Sequence, residues 1–200
     1  MGKQAGKGES AAINTQLDRF ICKARRRLAM TGKDKAHMID KLVTTEQAQT
    51  IRRQAKAAGQ KVVFTNGVFD ILHRGHVEYL EKAKALGDLL IIGLNSDSSV
   101  RRIKGPRRPL CSQEDRAIVL SALACVDHIV LFDEDTPQKL IEALIPDILV
   151  KGADYSVEQI VGADVVLKNG GKVLPIELTP GKSTSGLINK IVAAYGPGED

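Results

Sequence analysis

The stretch that decides the fold is Thr-Asn-Gly-Val-Phe-Asp-Ile-Leu-His-Arg-Gly-His at residues 65–76, which directly follows Lys-Val-Val-Phe at residues 61–64. The mostly apolar tetrapeptide is typical of a buried strand, and two histidines flanking a glycine stand where that strand gives way to a helix. In an open α/β sheet, ligands bind at the carboxyl ends of the strands, and a helix starting there offers free N–H groups to a phosphate. The stretch therefore predicts an enzyme that handles a nucleoside triphosphate.

Short apolar runs alternate with helical patterns on both sides of this stretch. The predicted strands are residues 61–65, 89–94, 128–132, 147–151, 164–167 and 172–176. The predicted helices are residues 45–58, 75–86, 97–103, 113–123, 136–144, 156–160 and 184–195, with Thr44 and Gln47 forming a capping box on the first. This alternation predicts a Rossmann-like α/β fold, in which a doubly wound, mostly parallel sheet carries helices on both faces.

The basic charge of the chain lies in its N-terminal segment. The formal net charge is +5, and residues 1–40 hold nine basic and four acidic residues, which leaves twenty of each in the remainder. We therefore predict a basic, flexible extension over residues 1–40, one catalytic domain over 41–195 and a frayed tail over 196–200. Residues 14–30 are either a basic amphipathic helix or a solvated tail. The balanced charge of the domain does not favour a nucleic-acid partner.

Cysteine content and hydropathy favour a cytoplasmic protein with no membrane partner. The three cysteines are an odd number, and their spacings match no zinc pattern. No apolar run approaches the roughly 20 residues that a membrane-spanning helix needs. We expect reduced thiols and no metal held by the protein itself.

The histidine pair is the first candidate site. His73 and His76 are predicted to contact phosphate, because a bound polyphosphate holds an imidazole in its charged form, and Gly75 lets the backbone approach the ligand. Charged imidazoles would stabilise a transition-state phosphoryl oxygen electrostatically. In the turn before them, Asn66 and Gly67 lead to Asp70, which either orients a histidine, holds Mg²⁺ or stabilises the turn locally.

Further candidates follow other predicted strands or open helices. Asp97 comes after the strand at 89–94 and either takes part in the site or caps the next helix. The basic segment 101–109 is predicted to be a flexible loop over an anionic substrate. Hydroxyl groups at the start of the last helix, from Ser183, Thr184 and Ser185, are predicted to bind phosphate.

Several of these motifs together resemble a known family. Asn66-Gly67-x-Phe69-Asp70-x-x-His73-x-Gly75-His76 resembles the cytidylyltransferase-like nucleotidyltransferases. Segments 93–97, 102–109, 114–117, 132–137 and 151–155 are similar to those of the D-glycero-β-D-manno-heptose 1-phosphate adenylyltransferase family. The resemblance covers about residues 41–195. It departs from the family pattern at Val68, where members often have Cys, and residues 1–40 match nothing in the family.

The resemblance implies the nucleotidyltransferase fold and the transfer of AMP from ATP to the heptose 1-phosphate, which gives ADP-heptose for lipopolysaccharide inner-core biosynthesis. It implies catalytic roles for the pair His73 and His76, for Lys104 and for Arg116, with Mg²⁺ carried on the ATP phosphates. The implied ATP-binding residues are Asn66, Gly67, Phe69, Asp70, Gly75, Asp97, Lys151, Gly152, Asp154, Ser183, Thr184 and Ser185. A separate sugar kinase would supply the acceptor, and a homodimer is an open expectation.

Two other functions remain open on the sequence alone. A cytidylyltransferase acting on a small polyol phosphate would use the same histidines with different base and acceptor pockets. A nucleotide-sensing or RNA-associated module, with residues 1–40 as its interaction arm, would bind nucleotide without turnover and lose affinity steeply with salt.

Overall fold

The computed structural model describes residues 40–153 and 157–196. These residues form a sheet of six parallel strands: β1 (Leu42–Val43), β2 (Val62–Gly67), β3 (Leu89–Asn95), β4 (His128–Phe132), β5 (Ile148–Gly152) and β6 (Lys172–Ile176). The strand order is β1-β4-β3-β2-β5-β6. From β2 the chain proceeds to β3 and β4 on one side, and then returns to β5 and β6 on the other side. This reversal confirms the predicted doubly wound sheet and places its switch point between β2 and β5.

Helices connect the strands and cover both faces of the sheet. They are α1 (Thr45–Ala57), α2 (Arg74–Lys84), α3 (Asp97–Lys104), α4 (Gln113–Ser121), α5 (Gln138–Leu144), α6 (Ala163–Lys168) and α7 (Thr184–Tyr195), with a 3-10 turn at Val157–Gln159. Among the described residues, no helix is long and apolar enough to cross a bilayer.

The core has two layers because neighbouring side chains of each strand point to opposite faces. On one face Val63 and Leu90 pack with Leu80 of α2 and Leu120 of α4. On the other face Phe64 and Ile91 pack with residues of α1, α5 and α6, namely Ala48, Ala55, Leu140, Ile141, Leu144, Ala163 and Val166. Burial on both faces explains why the strands are nearly continuous in apolar residues.

Helix starts follow the side-chain chemistry of their capping residues. The predicted capping box of α1 is present: Gln47 N donates to Thr44 Oγ1 at 3.2 Å and Thr44 N donates to Gln47 Oε1 at 2.8 Å. Ser112 caps α4 as expected. The cap of α3 is Ser96, whose Oγ accepts from Ser99 N, and Asp97 is the first residue of that helix. The capping role considered for Asp97 is therefore wrong.

Three sequence predictions about secondary structure need correction. Residues 164–167 were expected to form a strand and instead belong to α6. The expected helix at 156–160 is reduced to the short 3-10 turn, and its first residue lies outside the described ranges. The two-residue β1, paired in parallel with β4, was not predicted. The predicted extension over residues 1–40 and tail over 196–200 lie outside the described residues except for Asp40 and Gly196.

The last helix differs from the others in how little it buries. None of the described side chains of α7 is buried. Its apolar residues Ile191, Val192 and Tyr195 are 48%, 61% and 87% exposed. The helix therefore buries little apolar surface within the described residues.

Candidate active site

The turn after β2 is shaped by an aromatic ring. Phe69 adopts a left-handed backbone conformation with φ of 48°, and only 7% of it is exposed. A Cβ placed on Gly67 would lie 2.9 Å from Phe69 Cε2, so the turn requires glycine at this position. The Phe69 ring meets the His76 ring edge to face, with centroids 5.3 Å apart and an interplanar angle of 62°. The turn thus fixes the orientation of the second histidine.

The two histidines form a stacked pair at the start of α2. Their ring centroids are 3.9 Å apart, with an interplanar angle of 20°. His73 occupies the N-cap position in an extended conformation, and its side chain makes no capping hydrogen bond. The His73 imidazole is therefore not used to cap its own helix.

Both histidines, and Asn66 at the end of β2, have buried polar atoms without partners. Among the described residues, both ring nitrogens of His73, Nδ1 of His76 and Oδ1 of Asn66 are buried and form no hydrogen bond. Leaving a buried polar atom unpaired costs about 1–3 kcal/mol, so unpaired nitrogens in two stacked imidazoles are typical of groups that bind a polar ligand. The geometry supports a site at the carboxyl end of β2.

The protonation of the pair depends on what is bound. Burial, together with the charge of His73, lowers the pKa of His76 to about 4. Burial and the nearby charge of Lys182 also lower the pKa of His73. Both rings are therefore neutral near pH 7 without an anion, and a bound polyphosphate would raise both pKa values.

The start of α7 lies against the start of α2. A Cβ placed on Gly75 would lie 2.9 Å from Cβ of Lys182 and 3.1 Å from Cε1 of His73. Ser183 caps α7, and its Oγ accepts from Gly186 N at 3.0 Å. The hydroxyl proton of Ser183 remains available to a phosphate oxygen, while Thr184 is half-buried beside it and Ser185 is exposed. The fold thus brings the hydroxyl segment and the histidine pair together.

Asp70 makes a different contact from those expected. Its side chain is fully buried, Arg108 Nε donates to its Oδ2 at 2.5 Å, and Leu110 N and Cys111 N each donate to its Oδ1 at 2.8 Å. Burial alone would raise the pKa of Asp70, but these donors outweigh burial and lower it. The hydrogen bonds of Asp70 within the described chain go neither to His73 nor to His76. Its carboxylate ties the loop before α4 to the turn after β2.

Arg116 is likewise engaged by the protein. Its guanidinium is fully buried and donates to Asp97 Oδ1 at 2.8 Å, to Val68 O at 2.6 Å and to Cys111 O at 3.1 Å. In this arrangement it joins the turn after β2, the loop before α4 and the start of α3. Asp97 is accordingly held by an arginine at the rim of the site.

The remaining candidates that the structure describes lie at the ends of α3 and β5. Lys104 ends α3 and is exposed, as are the basic residues at 101, 102 and 107. Arg102 is tied to the segment after β4, where its Nε donates to Asp135 Oδ1 at 2.6 Å. Lys151 Nζ donates to Asn66 O at 3.2 Å, which links the ends of β5 and β2, and Gly152 ends β5. Asp154 lies outside the described residues.

One residue near the histidines was missed by reasoning from sequence. Lys182 was not among the candidates, although a basic residue directly before a helix cap is itself a signal for an anion. The structure places its side chain against Gly75, next to His73.

Comparison with known proteins gives one family and a consistent set of relatives. A family model described as Cytidylyltransferase-like matches residues 64–174. The Bifunctional protein HldE of Citrifermentans bemidjiense is 57% identical over 148 residues, which are 74% of this chain and 30% of that protein. The protein of the same name from Syntrophotalea carbinolica is 52% identical over 158 residues, which are 79% of this chain and 32% of that protein. The chain thus spans about a third of the length of these relatives.

A solved structure is also similar. The lipopolysaccharide core biosynthesis protein from Thermoplasma volcanium GSS1 is 32% identical, over 60% of this chain and 98% of its own, with a TM-score of 0.49.

Proposed function

The chain belongs to the cytidylyltransferase-like family and is a nucleotidyltransferase, and we propose that it transfers AMP from ATP to D-glycero-β-D-manno-heptose 1-phosphate. The products are pyrophosphate and ADP-heptose, the latter for the inner core of lipopolysaccharide. The single observation that carries the transfer chemistry is the stacked His73–His76 pair, with buried unpaired nitrogens at a helix start. The choice of heptose rests on the motif resemblance, and a sugar kinase supplies the acceptor.

In the proposed reaction a phosphate oxygen of the sugar 1-phosphate attacks the α-phosphorus of ATP. A new O–P bond forms, the bond from the α-phosphorus to the bridging oxygen breaks, and its electron pair leaves with pyrophosphate. Such a transfer depends on positioning and on charge stabilisation more than on covalent help from the protein. His73 and His76 hold the α- and β-phosphates and become charged as the phosphates bind, so cations stand where negative charge develops.

The start of α7 binds the outgoing part of the nucleotide. Ser183 and Thr184 contact the β- and γ-phosphates through their hydroxyl groups and the free N–H groups of the first helical turn. Ser185 belongs to the same turn. The contact between this segment and Gly75 supports the assignment, because it brings both helix starts to one polyphosphate.

We assign Asp70, Asp97 and Arg116 positioning roles in place of the ligand contacts implied by the sequence. Asp70 holds the loop before α4 through three hydrogen bonds, and that loop continues from the basic residues that end α3. Arg116 is buried against Asp97 and two backbone carbonyls. The two carboxylates and the arginine hold α3 and the loop before α4, and exposed Lys104 reaches the phosphates from the end of α3.

The nucleoside is proposed to lie at the switch point between β2 and β5. Asn66, Gly67 and Phe69 form one wall, and Lys151 and Gly152 form the other, with Asp154 following them. The hydrogen bond from Lys151 Nζ to Asn66 O supports this placement, because it joins both walls.

The residues at the site fit a magnesium ion that arrives on ATP. Two of the candidate carboxylates, Asp70 and Asp97, already form ion pairs with Arg108 and Arg116. Mg²⁺ binds well to phosphate oxygens and water and needs few protein ligands. When bound, it would neutralise charge on the polyphosphate.

The function is tested by measuring pyrophosphate release with Mg²⁺, pairing ATP or CTP with heptose 1-phosphate or glycerol 3-phosphate. We expect release with ATP and the heptose phosphate alone. Release with CTP and glycerol 3-phosphate would contradict the proposal and show that the chain is a polyol phosphate cytidylyltransferase. Nucleotide binding without release from any pair would favour the sensing module.

A further inference from the structure

The side chain of Lys182 lies at the junction of the two helix starts. It directly precedes Ser183, the cap of α7, and packs on Gly75 at the start of α2. Around that glycine, the Lys182 Cβ and the His73 ring edge lie 2.9 Å and 3.1 Å from where a Cβ would stand. A lysine stem of four methylene groups spans several ångströms, so from this position the ammonium group can reach the space in front of the histidines.

Two contacts from α2 hold the segment that carries Lys182. Thr179 Oγ1 donates a hydrogen bond to the carboxylate of Glu78, and Lys82 Nζ donates to Glu177 O at 3.2 Å. Both Glu78 and Lys82 belong to α2, whose N-terminus carries the histidines. The segment that leads to Lys182 is therefore held by side chains of the helix that carries the histidines.

The charge of Lys182 is not balanced by the protein around it. Within the described residues its ammonium group forms no ion pair or hydrogen bond, and neither α2 nor α7 has an acidic residue in its first turn. Its charge contributes, after burial, to the lowered pKa of His73. A lysine, two helix N-termini and two imidazoles thus face one another, an arrangement that favours an anion with several negative charges.

We propose that Lys182 binds the β- and γ-phosphates of ATP and the pyrophosphate that leaves, as the outermost of three cationic groups in the order Lys182, His73, His76. The assignment rests on the proposed nucleotidyl transfer. It places a permanent charge beside the Ser183 and Thr184 hydroxyls, whereas the histidines become charged only when phosphate binds. Lys182 is in this view a phosphate-binding residue that acts on the leaving group.

The direct test compares Lys182→Met with Lys182→Arg, which keeps the charge, and with Lys190→Met, a matched exposed lysine further along α7. Calorimetry would measure the dissociation constants of MgATP and of inorganic pyrophosphate, which need no sugar acceptor. We expect Lys182→Met to weaken both by about tenfold, as for the loss of a charge-assisted hydrogen bond at an exposed position. Lys182→Arg should retain most of the affinity, and Lys190→Met should match the wild type.

A second readout separates binding from a structural role. In the free protein, Lys182→Met should raise the pKa of His73, followed by NMR of its ring protons, because one nearby positive charge is removed. Unchanged dissociation constants and an unchanged His73 pKa in Lys182→Met would overturn the proposal and leave the nucleotidyl transfer intact. Absence of MgATP and pyrophosphate binding in the wild type would instead overturn the proposed function and this assignment with it.

Discussion

Aspartates at the amino ends of the strands and the histidine pair after β2 differ in whether their polar atoms are paired within the protein. At the amino ends of the strands, aspartates bind the first backbone N–H groups and also bind cations. Asp147 accepts from Val62 N at 2.8 Å and from Arg52 at 2.7 Å, and Asp127 accepts from Leu90 N at 2.7 Å and from Lys84 at 2.6 Å. At the carboxyl end of β2, by contrast, polar atoms are buried without partners.

We infer from this difference that the paired aspartates at the amino ends contribute to stability and that the unpaired histidines contribute to ligand binding. Single unpaired atoms do occur elsewhere, at Arg52 Nη1 and His128 Nδ1, but these belong to different elements. The unpaired nitrogens of His73 and His76 instead belong to two stacked rings at one helix start. A change at the amino edge should therefore cost stability, and a change at the histidine pair should cost activity.

The largest expected effect is that of His76→Ala on turnover. Removing one preorganised cationic group from a transition state costs about 10²–10³ in kcat, so kcat should fall by about that factor while MgATP affinity changes less. Steady-state kinetics and nucleotide titration would measure both quantities. The matched control is His128→Ala, which removes another partly buried histidine with an unpaired nitrogen and should keep kcat. Near wild-type turnover in His76→Ala would show that the histidine pair does not stabilise the transition state.

Asp147→Ala should have the reverse effect. It breaks the contact with Arg52 and frees Val62 N, so the free energy of unfolding should fall by about 2–3 kcal/mol, mainly because Arg52 is left buried without its partner. Denaturant titration would measure the loss, and kcat at 20 °C should stay within about twofold of the wild type, since the paired groups lie at the far edge. The control is Asp164→Ala at an exposed position on α6. A large fall in kcat of Asp147→Ala with unchanged stability would contradict the assignment of stability to the amino ends of the strands and of activity to the histidine pair.

A smaller effect is expected in the pH dependence of stability. The pKa of His76 is about 4 in the fold, against about 6.5 for an unperturbed histidine. Because the folded pKa is the lower one, the contribution of His76 to stability is complete above about pH 6.5 and is lost as the pH falls towards 4. As the pH falls over this range, the melting temperature should decrease less in His76→Gln than in the wild type. Parallel curves for the two proteins would show that His76 is not held neutral by the fold.

Much of the architecture followed from local patterns. The predicted strands at 89–94 and 128–132 and the predicted helix at 184–195 agree with β3, β4 and α7 to within one residue, because apolar runs and helix caps are local signals. The two-residue β1 is too short to produce such a signal. Its place at the sheet edge depends on pairing with β4, which is distant in sequence.

The wrong strand at 164–167 has a physical explanation. Val165, Val166 and Leu167 have strand-forming character, yet β5 and β6 are adjacent and parallel, so the chain between them must cross over the sheet. The segment forms α6 instead, with Ala163 and Val166 buried three positions apart, as a helix requires. Tertiary context has overridden local propensity here.

The candidate residues could be named from sequence, but their contacts could not. The histidines and the hydroxyl segment were both predicted to bind phosphate, and the structure brings the start of α7 next to Gly75. The direction of a side chain depends on packing between distant segments. Asp70 and Arg116 therefore turned out to bind protein groups, and the approach of Lys182 to His73 could be seen only in the fold.

The exposure of α7 has a thermodynamic consequence. A helix that buries no side chain gains little from the core, so its local opening costs less free energy than that of the helices packed on the sheet. A phosphate bound by the residues at its start would then contact the ordered helix but not the locally unfolded one. Part of the intrinsic binding energy of the nucleotide is then used to order this segment. Any second contact that buried the apolar face of α7 would also stabilise the ordered helix, and it would raise nucleotide affinity without contacting the nucleotide.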